Sequence, residues 1–190
     1  MKIRKTAGLL AFLLLVLGSG LAQAQDAKPA EHLSIAQVMD RGVSGVEREF
    51  VPAAEAMPED KYSFAPTNGE FKGVRTFAQQ VKHVAAVNYM VGAAILEEKP
   101  PVDLGSENGP DSVKSKADIV KFLKDSFIYV HKAVGTINEN NLLTPIKSPF
   151  GEGMTTRLGM STLVVSHCFD HYGQMVEYLR MNGIVPPASR

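Results

Sequence analysis

The chain has 190 residues, 45% of them hydrophobic and 21% charged, with 20 basic residues set against 20 acidic ones. That length suits one domain with a sizeable core. The balanced charge and the lack of any basic block argue against nucleic acid as a partner, and a lone cysteine, Cys168, rules out an internal disulfide.

Lys2, Arg4 and Lys5 precede an unbroken apolar run, Leu9 to Leu17, and Ala22-Gln23-Ala24 has the small-x-small form of a signal-peptidase site. This is the pattern of a secretory signal peptide, with an apolar stretch too short for a membrane span. Cleavage is expected after Ala24, so that residues 1–24 are the signal peptide and 25–190 the domain, periplasmic or secreted. No cysteine follows the cleavage site to carry a lipid, and no later segment is long and apolar enough to make a stable membrane anchor. Loss of the leader leaves 17 basic against 20 acidic residues, a slightly acidic mature protein.

After a polar stretch, Gln25 to Glu31, the first helix opens at Leu33-Ser34. Ser34 can cap it, Gln37 can return the hydrogen bond, and Leu33 can staple onto Val38. Ile35, Met39, Val46, Phe50 and Ala53 continue at helical spacing as far as Met57-Pro58. Thr67-x-x-Glu70 has the form of a second cap. Phe77, Val81, Val84, Val87, Val91 and Ile95 mark the apolar side of helix two, which Lys99-Pro100-Pro101 ends. A Gly/Pro/Ser/Asp loop, Pro101 to Ser115, leads to helix three, with Val120, Leu123, Phe127, Val130, Val134 and Ile137. A second long connection, Asn140 to Met154, leads to helix four, about Arg157 to Met181, closed by Asn182-Gly183 and Pro186-Pro187. Four amphipathic helices without convincing strands predict an all-α four-helix bundle with long interhelical connections.

Helix four carries His167 and His171, an i, i+4 pair that shares one face. Its polar face is narrow (Ser166, Asp170, Gly173, Glu177, Arg180). Both histidines fall within the wide apolar arc that includes Leu158, Val165, Phe169, Tyr172, Val176 and Leu179, so they should face protein. On helix two, His83 lies at the margin of the apolar arc, in line with Val87, Met90 and Ala94. Sites in helical bundles form from side chains of facing helices. Spacing and faces alone leave a metal site and satisfied core histidines equally open. The remaining histidines, His32 and His131, flank apolar stripes and read as structural or surface residues. Cys168 reads first as a buried small hydrophobe, with direct metal ligation or reactivity as the alternatives.

Several segments resemble the DinB/YfiT-like family. His167-x3-His171-Tyr172-Gly173-Gln174, followed by Glu177 to Pro187, resembles that family's last helix. Met57 to Pro66 resembles its first interhelical loop, and Phe77 to Val84 its second helix. The resemblance covers nearly all of the mature chain. It implies a four-helix bundle that binds a divalent metal through three histidines, carried over here as His83, His167 and His171. Three nitrogens with open coordination positions form a catalytic-type arrangement. The resemblance implies thiol-dependent transfer or isomerisation, as in some relatives, or metal-dependent hydrolysis, the class to which others are only assigned. Two features depart from the pattern: Tyr172 stands where many relatives have arginine, and the characterised thiol transferases use cytosolic thiols, whereas this chain is expected to be exported.

The sequence therefore predicts a divalent-metal-dependent enzyme acting on an unidentified small molecule, with hydrolase or thiol-dependent-transferase chemistry. Zinc is the default ion and nickel, iron or manganese the alternatives. Gln174, one turn past His171, is the weak catalytic candidate, able to orient a water beside the metal. A non-catalytic metal- or ligand-binding bundle is the alternative reading, and a homodimer is compatible with either.

Overall fold

The computed structural model describes residues 32–190. The expected signal peptide and its cleavage site lie outside the described residues. Four helices form: α1 (Ile35–Ala56), α2 (Phe77–Leu96), α3 (Lys116–Val134) and α4 (Arg157–Met181). Each of α1 and α2 packs against both α3 and α4. The helices thus ring the core in the order α1–α3–α2–α4, which makes α2 and α4 direct neighbours. The expected four-helix bundle is borne out. Fully buried Phe50, Phe77, Ile95, Leu123, Phe127, Met175 and Leu179 fill its centre, each worth about 1.5–3 kcal/mol in apolar surface withdrawn from water. Among the described residues, no helix is long and apolar enough to cross a membrane.

The helix starts follow from side chains that satisfy otherwise unpaired backbone N–H groups. Ser34 and Gln37 form the expected reciprocal cap on α1. The expected staple does not bury its two residues, since Leu33 and Val38 both remain exposed. The α2 cap is Thr76 with Gln79, and not Thr67 with Glu70. Residues 67–75 cannot begin the helix because Gly69 and Gly73 hold left-handed backbone there, with φ of 121° and 83°. The start is instead fixed by the preceding loop: the N–H groups of Phe77 and Ala78 donate to the carbonyls of Phe64 and Tyr62, both at 2.8 Å.

The long connection before α4 is not wholly irregular. Strands β1 (Pro145–Lys147) and β2 (Met154–Thr156) pair antiparallel, with Ile146 opposite Thr155. Buried Ile146 anchors this hairpin, and Thr156, its last residue, caps α4 by accepting from the Gly159 N–H. Strands of three residues are too short to show an alternation in sequence.

Candidate metal centre

The four-residue spacing of α4 sets His167 and His171 on one side, and α2 brings His83 against them. The ring centroids are 4.5 Å apart for His167–His171, 4.8 Å for His83–His171 and 5.1 Å for His83–His167. One nitrogen from each ring lies within 4.8 Å of the others. His171 is buried and the other two are half-buried. The Nε2 atoms of His83 and His167 are 3.1 Å apart. Two nitrogens each about 2.0–2.1 Å from one ion, at angles of 90–110°, would be roughly 2.9–3.4 Å apart, so this spacing suits a shared cation.

Protonation and support agree with that donor set. His83 Nδ1 donates to the Glu107 carbonyl at 2.5 Å, which leaves Nε2 as the ring's lone pair. His171 Nδ1 donates to Gln80 Oε1 at 2.6 Å. The Gln80 amide in turn donates to Gln174 Oε1 at 2.8 Å, and Gln174 Nε2 donates to Asp170 at 3.2 Å. This chain of amides fixes which Gln80 atom is the acceptor, and with it the His171 tautomer. His167 lacks such a holder: its Nδ1 is buried without a hydrogen-bond partner among the described residues. Burial, then the neighbouring His171 and His83, lowers the His167 pKa to about 3. Burial, then His83 and Arg75, lowers that of His171 to about 4. Burial likewise lowers His83, against the opposing pull of its bond to Glu107. All three rings are therefore neutral near pH 7, the form that offers a lone pair to a cation.

The loop after α2 holds His83 in place. Lys82 Nζ donates to the Pro110 carbonyl at 2.9 Å. Gly109, at φ 76°, lets the backbone lie so close to α2 that a Cβ there would be 2.6 Å from Lys82 Cβ. This pinning is what brings the Glu107 carbonyl onto His83. The Glu107 and Asn108 side chains meet Arg75, whose Nε donates to Asn108 Oδ1 at 2.9 Å and whose Nη2 is 3.4 Å from Glu107 Oε2. From α4, the Tyr178 hydroxyl donates to the Arg75 carbonyl at 3.0 Å.

The structure thus gathers His83, His167 and His171, and it places Gln174 in the support chain behind His171. Gln80, Arg75 and Glu107 are the additions. Gln80 carried a sequence signal, a polar residue three positions before His83 and at helical spacing from Phe77 and Val84 on the apolar stripe. Arg75 and Glu107 lie in loops, where no periodicity could mark them. Cys168 follows its default reading: it is buried, bonds Asn88 Oδ1 at 3.5 Å, and burial pushes its thiol up to about 12. His131 bridges α3 to α1 through Asp40 and Glu47, and His32 is exposed. Tyr172 is half-buried away from the cluster, its phenol pKa raised by burial and by Glu49. Phe169, placed in the apolar arc by projection, remains 42% exposed, because it lies off the buried stripe of α4, which includes Met160, Val164, Cys168, His171, Met175 and Leu179. A cavity of about 810 Å³ opens farther along α2, lined by Met90, Ala94, Glu97, Leu104, Lys147 and Pro149 among others, and none of the three histidines lines it.

Fold and site together define a four-helix bundle with three histidines gathered from two neighbouring helices. The chain belongs to the DinB superfamily, whose family model matches residues 44–175. Its fold is similar to that of a DinB-like protein from Bacillus cereus, with a TM-score of 0.61 and 14% identity over 78% of this chain and 93% of that one. It is also similar to a conserved protein from Enterococcus faecalis, with a TM-score of 0.63 and 15% identity over 79% and 98% of the two chains. Identities this low speak for the fold alone. No curated protein matches the chain in sequence.

Proposed function

We propose that the protein is a divalent-metal-dependent enzyme, exported through its leader, whose His83, His167 and His171 hold the ion. The observation that carries this reading is the convergence of three neutral imidazoles, with Nδ1 of His83 and of His171 each committed to an oxygen acceptor. Zinc is the default occupant, and nickel, iron or manganese are compatible with the same donors. An ion bound by three protein ligands keeps positions for solvent or substrate, lowers the pKa of a water or thiol, and polarises a carbonyl. The chain's own residues supply the rest. Glu107 and Gln80 fix the ring orientations, burial keeps the rings neutral, and the pinned loop over α2 walls the site on one side. This arrangement supports hydrolysis or thiol-dependent transfer on a small molecule.

A second reading, a non-catalytic metal-binding bundle, draws on Gln174. Its oxygen accepts from Gln80 and its nitrogen donates to Asp170, so it acts as a holder and leaves the site without an assigned general base. The two readings separate in a screen of zinc-loaded protein against esters, amides and thiol-plus-electrophile pairs. The enzyme reading expects turnover of at least one class, abolished by His167→Ala. Metal retention with no turnover in any class supports the binding bundle.

A further inference from the structure

The three-histidine cluster has a permanent cation, Arg75, close by. Arg75 lies in the loop that precedes α2, and it meets the cluster through a single residue. Glu107 gives its backbone carbonyl to His83 Nδ1 and sets its carboxylate 3.4 Å from Arg75 Nη2. The guanidinium is therefore separated from a cluster histidine by no more than one glutamate. It is also well fixed. Asn108 takes the Nε hydrogen, and Tyr178 of α4, the helix that carries His167 and His171, holds the Arg75 backbone.

The glutamate that faces Arg75 is poorly held by comparison. The Glu107 side chain is 88% exposed, against 28% for Arg75, and it makes one long contact to one nitrogen of the fork. A guanidinium presents parallel N–H donors that match a carboxylate in two-point fashion, and an exposed one-point pair is worth little in water. An incoming carboxylate that engages the fork at two points can take the place of Glu107. The Glu107 side chain can swing into solvent while its backbone carbonyl stays on His83.

We propose that Arg75 is the anion-receiving arm of the three-histidine site, and that the substrate is a small carboxylate which displaces the Glu107 side chain from Arg75 while a second donor atom reaches the histidine-held ion. This rests on the metal-centre reading above and names the class of molecule that would occupy it. Arg75 is the specificity residue, and Glu107 is an internal competitor for the same fork.

The test uses cobalt(II)-loaded protein and a matched pair of probes, 3-mercaptopropionate and its neutral amide, 3-mercaptopropionamide. Thiolate binding to cobalt gives an absorption band that reports affinity without any turnover. Wild-type protein should bind the acid about tenfold more tightly than the amide, the scale of one charge-assisted contact. Arg75→Gln should bring that ratio close to one while amide affinity stays the same. Glu107→Gln, an exposed change that leaves the backbone bond to His83 in place, should widen the ratio by a few-fold. Comparison across variants removes the difference in thiol acidity between the probes. A wild-type ratio near one that Glu107→Gln does not widen, or a preference that survives Arg75→Gln, overturns the role of Arg75 with the metal reading intact. Failure of the protein to take up cobalt overturns both.

Discussion

Gln80 shows how one side chain decides what a histidine can do. It is buried, and its two ends have separate tasks: Oε1 accepts from His171 and Nε2 donates to Gln174. If the acceptor is lost, the His171 ring is free to turn or to change tautomer. Removal of an outer-shell partner of this kind typically lowers metal affinity 10–100-fold. Gln80→Leu should therefore weaken zinc binding by that order and lower stability by about 1–3 kcal/mol, because a buried N–H loses its acceptor. Gln80→Glu, which keeps the acceptor, should hold zinc more tightly than Gln80→Leu does. Competition against a chromophoric chelator gives the affinities, and equal affinities for wild type and Gln80→Leu would show that the contact does not orient the ring. The facing of His167 and His171 was legible in the sequence, since i, i+4 spacing within an apolar arc turns both toward protein, and His83 was legible as their companion through the family resemblance. Their partners were less so. Gln80 was marked by its polarity in register with the apolar stripe of Phe77 and Val84, whereas Arg75 and Glu107 come together over 32 positions of sequence through loop geometry alone.

At the level of helices, periodicity resolved all four elements, and all their ends but one to within a few residues, because each buries a continuous stripe; the start of α2 lies nine residues past the expected cap. It misjudged what a stripe does not control. Thr67-x-x-Glu70 satisfied the local rule for a cap, but the actual start of α2 depends on the carbonyls of Tyr62 and Phe64, which reach it only in the folded chain. The hairpin before α4 escaped notice because its strands are three residues each. His131 belongs to this scale too, as a strap from α3 to Asp40 and Glu47 on α1. Burial of the ring opposes its charge, but the hydrogen bonds and charges of the two carboxylates outweigh it, and its pKa is raised above the ordinary 6.5. A raised folded pKa stabilises fully below about pH 6.5, and the stabilisation is lost as pH climbs through the folded value. His131→Gln should therefore lower the melting temperature more at pH 6 than at pH 9. The cluster histidines titrate alike in both proteins and cancel. An equal drop at the two pH values would mean that the strap carries no charge.

For the molecule as a whole, helix amphipathicity conveyed a bundle but not its ring order, since each apolar stripe is compatible with several neighbours. The order α1–α3–α2–α4 matters because it sets α2 beside α4 and so brings residues 84 and 88 positions apart, His83 with His167 and with His171, into one cluster. The same bundle recurs in proteins only 14–15% identical, as expected where buried pattern and not residue identity specifies packing. The central claim is that this cluster holds one divalent ion in the folded state. A ligand that binds only the native state at a hundredfold excess over its Kd stabilises by about 2.7 kcal/mol, roughly 5–10 °C for a chain of this size. The direct measurement is a thermal melt of metal-stripped protein with and without zinc, paired with metal analysis of the same samples. The account predicts one zinc per chain and a rise of that order in wild type, with both lost in His83→Ala, His167→Ala and His171→Ala. An unchanged melting temperature and a wild-type protein that retains no ion would contradict it.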